Sequence, residues 1–212
     1  MIGIFGGTFD PIHYGHLRSA LEVKDSFKLT EVRLIPCAKP AHREQPSVRT
    51  DNRLQMLQLA IKNQTELTID TRELDRHSLS REVPSYMVDT LKSLRQDLKD
   101  EPLLLIIGSD AFKQLTNWHQ WPQLFDYAHI VVLTRPGFVT QQMDDFFKDR
   151  LTKEKGELAQ TTAGKLFMEQ ITQLDISATA IRNMIANKQN PAYLLPDAVI
   201  EYIKKNKLYE TN

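Results

Sequence analysis

Residues 103–108 read LLLIIG, apolar at every position before the closing glycine. A strand with one wet face alternates apolar and polar residues, and this run does not. It suits a strand covered on both faces, as in a parallel sheet with helices packed above and below it. HIVVLTRP (129–136) has the same character and stops at Pro136-Gly137. Shorter β-type runs stand at Met1–Phe5, closed by Gly6-Gly7, at EVRLIPC (31–37), at LTID (67–70) and, last in the chain, at LFMEQI (166–171). Between them the apolar residues shift to helical spacing. Leu17, Ala20 and Leu21 share a face over 15–27. Leu54, Leu57 and Ile61 do so after an N-cap expected at Thr50-Asp51. Val88, Leu91, Leu94 and Leu98 form a stripe after Pro84-Ser85, and two closing helices are expected near 178–188 and 196–206, separated by KQNPAY. Strands alternating with helices imply βαβ units with right-handed crossovers. The expected fold class is α/β, an open, doubly wound parallel sheet. No repeat, low-complexity tract or linker divides the chain, so a single domain is expected over 1–212. Residues 138–164 are polar, lack a period and stay unassigned.

The longest clean apolar run, Leu103 to Ile107, is far short of the roughly 18 residues of a membrane span. The 212 residues carry 27 Lys+Arg against 27 Asp+Glu, for a formal charge of zero. That balance argues against a general binder of nucleic acid or membrane surfaces, and leaves room for a small, locally basic pocket. A single cysteine, Cys37, precludes a disulfide within the chain and fits a reducing compartment. With a glycine motif beginning at residue 3, no signal peptide fits, and a cytoplasmic, soluble protein is expected. A homo-oligomer is compatible with the sequence but not specified by it.

Residues 3–16 read GIFGGTFDPIHYGH. They lie between the first expected strand and helix, and doubly wound folds bind ligands at the carboxyl ends of their strands. Glycine there lets backbone amides approach a bound group, and a helix N-terminus attracts phosphate through free N–H groups and its dipole. His13 and His16 are three residues apart, so a helical turn would aim both at one anion. Neither GxxxxGK[ST] nor GxGxxG is present. A phosphate site here would rest on backbone, two imidazoles and a basic group from elsewhere.

GGTFDPIHYGH resembles the HxGH signature of the nucleotidyltransferase superfamily, whose members transfer AMP or CMP from a nucleoside triphosphate to a phosphorylated or carboxylate acceptor. ISATAIR (176–182) resembles the second signature, ISxTxxR. Ser177 and Thr179 would sit just ahead of a helix and Arg182 on its first turn, a hydroxyl-rich start followed by a guanidinium that suits a triphosphate. Over essentially its whole length the chain resembles bacterial nicotinate-nucleotide adenylyltransferases. The intermediate matches are PAHR (40–43), PSYMVDTL (84–91), IIGSD (106–110), NWHQW (117–121) and TRPG (134–137). The resemblance implies a Rossmann-like nucleotidyltransferase fold, with 176–212 as a helical part that completes the ATP site. It places ATP on Gly6, Gly7, Thr8, Phe9, Ser177 and Thr179. It places the mononucleotide on Tyr86, Met87, Gly108, Asp110, Trp118 and His119, with Arg43 and Arg135 as candidates for its phosphate. Trp118 would stack on the pyridine, and Asp110 would reach a ribose. Family members commonly carry threonine after PSY, where Met87 stands here. A backbone contact to a nicotinate carboxylate survives that change, but a hydroxyl contact does not.

The reaction so implied joins nicotinic acid mononucleotide and ATP into deamido-NAD and pyrophosphate, a step of NAD biosynthesis. A phosphate oxygen attacks the α-phosphorus in line, with no covalent enzyme intermediate. His16 would neutralise charge on the α-phosphate, His13 would position phosphates, and Arg182, Ser177 and Thr179 would hold the β- and γ-groups. Mg²⁺ is expected on the phosphates, mostly through water. Rival readings are a pantetheine-phosphate adenylyltransferase, typically shorter and without PSY or NWHQW, and a glycerol-phosphate-type cytidylyltransferase, whose signature ends RTxGISTT. A third is a non-catalytic nucleotide sensor, against which intact His13, His16 and Arg182 speak.

Overall fold

Every strand of the central sheet runs parallel to its neighbours, the arrangement LLLIIG demands. The computed structural model describes residues 1–41, 45–80, 84–134, 143–172 and 174–210. In chain order these contain β1 (Ile2–Gly7), α1 (Tyr14–Ser26), β2 (Glu31–Pro36), α2 (Thr50–Ile61), β3 (Leu67–Ile69), α3 (Arg72–Leu79), α4 (Met87–Leu98), β4 (Leu103–Gly108), α5 (Ser109–Lys113), α6 (Leu124–Tyr127), β5 (His129–Thr134), α7 (Asp145–Lys148), β6 (Leu151–Thr152), α8 (Lys155–Gln160), β7 (Leu166–Gln170), α9 (Ala178–Ala186) and α10 (Asp197–Lys205). The sheet order is β3-β2-β1-β4-β5-β7-β6. It reverses between β1 and β4, which pair at Ile2 with Leu103, so a crevice opens beyond the carboxyl ends of those two strands.

Strand residues divide strictly between two cores. Leu103, Leu105, Ile107, Ile130 and Val132 pack with Val88, Leu91 and Leu94 of α4 on one face. Leu104, Ile106, Val131 and Leu133 pack on the other, with Leu17, Ala20 and Val23 of α1, Met56 and Leu57 of α2, Ile181 of α9 and Val199 of α10. The period-2 alternation is therefore present, but both faces are dry, which is why the sequence shows an unbroken apolar run. At Gly3 a Cβ would come within 2.9 Å of the Leu29 Cδ1 methyl and 3.0 Å of the Ile106 Cδ1 methyl, so a side chain there would force these core methyls to shift.

Some expectations shift. The cap of α2 is Arg49, and Thr50 is its first helical residue. The Thr50 hydroxyl instead accepts from the Arg53 guanidinium at 3.2 Å. Helix α1 begins at Tyr14 with His13 as its cap. The α3 helix was not signalled, because among its residues just Glu73 is buried and no apolar stripe exists. Within 138–164 the described part is structured. Phe146 and Phe147 of α7 pack on Trp121 and Phe125, and the two-residue β6 adds the sheet edge beyond β7. A two-residue strand has no period to read. Thus LFMEQI is the last strand in sequence but not the last in the sheet. Among the described residues no helix is long and apolar enough to cross a membrane.

Candidate active site

The turn after β1 is built on its own aromatic ring. Phe9 adopts a left-handed conformation (φ 48°) and is buried. Its ring lies under Gly7, where a Cβ would come within 2.9 Å of it. The same ring meets His16 edge-on, with centroids 5.2 Å apart. Glycine at 7 and the αL turn at 9 are therefore one device: they put the Thr8 backbone on the crevice wall and a hydrophobic prop behind His16.

His13 and His16 then stack, with ring centroids 3.7 Å apart and planes 26° apart. His13 is the N-cap of α1, in extended backbone, and its carbonyl accepts from His16 N and Leu17 N. Gly15 makes the stack possible, since a Cβ there would sit 3.0 Å from Cε1 and Nδ1 of His13. Burial lowers the His13 pKa to about 4, so this imidazole is neutral at pH 7. Its Nδ1 is buried and has no hydrogen-bond partner among the described residues. A neutral ring on the cavity wall can meet a ligand's polar group by hydrogen bonding rather than by charge.

A cavity of about 590 Å³ fills the crevice. At one end its wall holds Gly6, Gly7, Thr8, His13, His16 and Ser177, all expected from sequence. At the other stand Tyr86, Trp118 and His119, with Met87, Gly108 and Asp110 between. The Tyr86 and His119 rings stack at 4.2 Å, while Trp118 is half-buried against the α4 core. The Asp110 carboxylate is 89% exposed and lies 3.8 Å from Lys113. Met87 reaches from α4 across to β1, so that a Cβ at Gly6 would lie 2.6 Å from its Cε. Phe9, Thr179 and Arg182 are not on this wall. Arg43 and Arg135 lie outside the described residues.

Ser177 is the N-cap of α9, its hydroxyl accepting from Ala180 N at 3.4 Å. Thr179 lies inside the first turn, and Arg182, the fifth helical residue, lies one turn later than its spacing suggested. Arg182 Nη1 donates to the backbone carbonyl of Asp10 at 2.8 Å, and Nη2 donates to Thr179 at 3.2 Å. Tyr14 N donates to Leu194 O at 2.9 Å. The two signatures, at opposite ends of the chain, therefore meet.

Sequence reasoning gave no role to several residues found here. Asp10 is buried, accepting from Ser47 N and Tyr209 Oη, each at 2.6 Å. Arg53 is fully buried and donates to the Thr8 carbonyl at 2.6 Å, fixing the glycine turn from behind. Burial lowers its pKa, offset by nearby acidic groups. Glu73 is buried beside the cavity, accepting from Thr90 at 2.8 Å, and burial raises its pKa. Cys37 also lines the cavity; burial, then the Glu73 charge, push its thiol up to about 12, so it stays protonated at neutral pH. Asp10 stood inside the quoted motif and was the one residue of this group that sequence could have flagged.

The model of the cytidylyltransferase-like family matches residues 4–184. A protein of Methylococcus capsulatus named "Probable nicotinate-nucleotide adenylyltransferase" is 46% identical over 213 residues, covering 99% of each chain. One of the same name from a Marinomonas strain is 40% identical, covering 98% of this chain and 94% of that protein. Among solved structures, a Plasmodium falciparum nicotinic acid mononucleotide adenylyltransferase complexed with NaAD superposes with a TM-score of 0.74 at 19% identity, over 100% of this chain and 98% of that one. That likeness supports the fold. The full-length identity and the family match together make this chain a member of the nicotinate-nucleotide adenylyltransferases, within the cytidylyltransferase-like nucleotidyltransferases.

Proposed function

We propose that the cavity joins ATP and nicotinic acid mononucleotide, releasing pyrophosphate and deamido-NAD. The observation that carries this reading is the bond from Arg182 to the Asp10 carbonyl, which brings the ISATAIR helix onto the GGTFDPIHYGH turn. ATP would lie with its triphosphate between these two segments. His16 acts on the α-phosphate, where negative charge grows as the mononucleotide oxygen attacks phosphorus and the bond to the β-phosphate breaks. His13, neutral and stacked on His16, orients phosphates by hydrogen bonding rather than by charge. Arg182, with Ser177 and Thr179 at the start of α9, holds the β- and γ-phosphates of the leaving group. Gly6, Gly7 and Thr8 offer backbone, and Phe9 supports them from below without touching ATP through its ring.

The mononucleotide would occupy the Tyr86–Trp118–His119 end. Trp118 offers a flat face for the pyridine. Among the described residues the first amides of α4, at Met87, have no side-chain cap, and they suit a carboxylate. Gly108 and Asp110 would face the ribose, and Arg43 and Arg135 remain candidates for its phosphate. Mg²⁺ would supply charge neutralisation on the triphosphate. Among the described residues no group of three His, Cys, Asp or Glu comes together to hold a metal, so its ligands would be phosphate oxygens and water. Balanced charge and a single cysteine support a cytoplasmic enzyme of small molecules, with 1–212 acting as one catalytic domain and 176–212 closing its ATP end.

The test is pyrophosphate release from ATP with a panel of acceptors. Nicotinic acid mononucleotide is expected to support it well above phosphopantetheine or glycerol phosphate. Preference for either of those selects a rival transferase, and no release with any acceptor selects a nucleotide sensor.

A further inference from the structure

Asp10 is a buried acid that the reaction does not use, and its surroundings are unusual. It is 4% exposed. Its Oδ1 accepts from the hydroxyl of Tyr209, at 2.6 Å and 199 residues away, and its Oδ2 accepts from Ser47 N at 2.6 Å. Arg182 approaches the same residue but does not close on the carboxylate. Its Nη1 bonds the neutral backbone carbonyl at 2.8 Å and stays 4.0 Å from Oδ2. A guanidinium beside a carboxylate ordinarily forms short, paired bonds with it. Here both carboxylate oxygens are already engaged by uncharged donors.

We propose that Tyr209 is a positioning residue for ATP: by holding Asp10 Oδ1, its hydroxyl fixes the carboxylate in the orientation that keeps Oδ2 4.0 Å from Arg182, and so leaves the guanidinium available to the triphosphate. The inference rests on the proposed function and extends it to a residue near the end of the chain. Burial and the Asp10 hydrogen bond hold the Tyr209 phenol far above its usual range, so it remains a donor at any working pH. Its backbone is held in the left-handed region (φ 63°), as is that of Lys207 (φ 50°), a conformation unfavourable for a non-glycine residue. The fold sustains that strain where the ring is delivered to Asp10. Arg53, the other cation beside Asp10 among the described residues, is committed to the carbonyls of Thr8 and Ala38 and the Thr50 hydroxyl. Removing the phenol hydroxyl therefore frees the carboxylate to turn toward Arg182, and ATP must then compete with Asp10 for the guanidinium.

The test is a double-mutant cycle of Tyr209→Phe and Arg182→Ala, read as KM and kcat for pyrophosphate release, with thermal midpoints measured alongside. Tyr209→Phe keeps the ring. It is expected to raise KM for ATP roughly three- to tenfold while leaving KM for the mononucleotide within twofold. In the Arg182→Ala background the same change should have no further effect on kcat/KM for ATP. Tyr209→Leu serves as a second hydroxyl-free variant should the first be unstable. Equal losses in both backgrounds, or a lowered thermal midpoint with KM for ATP unchanged, overturn the proposal and make Tyr209 a structural clamp. A wild-type protein inactive with every acceptor overturns the functional reading itself, and this inference with it.

Discussion

Gly15 shows how narrowly a single residue conditions the imidazole pair. Its missing Cβ leaves 3.0 Å to the His13 ring, less than van der Waals contact. Gly15→Ala is expected to push the His13 ring off His16, lowering kcat by roughly tenfold to a hundredfold, since displacement of about 1 Å carries that cost. Stability should change little, because alanine favours the helix. Thermal melts beside steady-state rates decide it, and a fast Gly15→Ala enzyme contradicts the proposed role of the stack. His16→Ala is expected to lose on the order of 10²-fold or more in kcat at saturating substrates. Normal turnover in that variant removes His16 from the mechanism. At this scale the sequence was legible where residues that share the cavity sit in one local pattern. The glycines, His13, His16 and Ser177 all reach one cavity. It was illegible where a role depends on a distant partner. Arg53 reaches Thr8 across 45 positions and Tyr209 reaches Asp10 across 199, and neither spacing leaves a trace in the chain.

Elements were legible in proportion to the apolar area they bury. β4 and β5 are dry on both faces and announce themselves; α3 buries mainly an acid, and β6 is two residues long. Arg95 on α4 illustrates a tie between elements that hydropathy cannot show. It donates to the carbonyls of Lys99, Glu101, Tyr127 and Thr162 at 2.6–2.9 Å, pinning the end of α4 to the loop before β4, the last residue of α6 and the loop before β7. Arg95→Met should destabilise the fold by about 2–4 kcal/mol, leaving several carbonyls without their charged donor, while KM values hold. Urea midpoints with an unchanged slope check this, and an unaltered midpoint refutes it. At the far end of the cavity, Trp118 packs partly on the α4 core and partly faces the crevice. Trp118→Ala is expected to raise KM for the mononucleotide at least about tenfold more than KM for ATP, given the 0.5–1.5 kcal/mol of an aromatic pair plus the lost apolar area. Equal rises mark it as a packing residue.

For the whole molecule, two buried histidines couple the fold to acidity. His13 is lowered to about 4 by burial. His129 is lowered as well, chiefly by burial, and its ring is fixed between neighbours: Nε2 lies 2.9 Å from the Thr161 carbonyl and Nδ1 accepts from Lys165 N. Above pH 6.5 neither state carries these protons and stability does not depend on them. As pH falls below 6.5 the unfolded chain binds protons that the folded chain refuses, so stability declines until the folded His13 titrates near pH 4. His13 alone is worth about 3 kcal/mol across that window. Urea midpoints at pH 7.5, 6 and 5 should fall in order, and a flat series contradicts the burial of these rings. The joining of the two chain ends is the molecular-scale feature on which the functional account depends. Arg182 touches the carbonyl of Asp10, and Tyr209 its carboxylate, in the turn that carries His16.

A crystal structure with a non-hydrolysable ATP analogue tests that feature most directly. The account predicts one triphosphate lying between the His16 ring and the Arg182 guanidinium, each within about 3–3.5 Å of its oxygens. A triphosphate bound through the amino-terminal turn alone, with Arg182 still on Asp10 and clear of every phosphate, contradicts it.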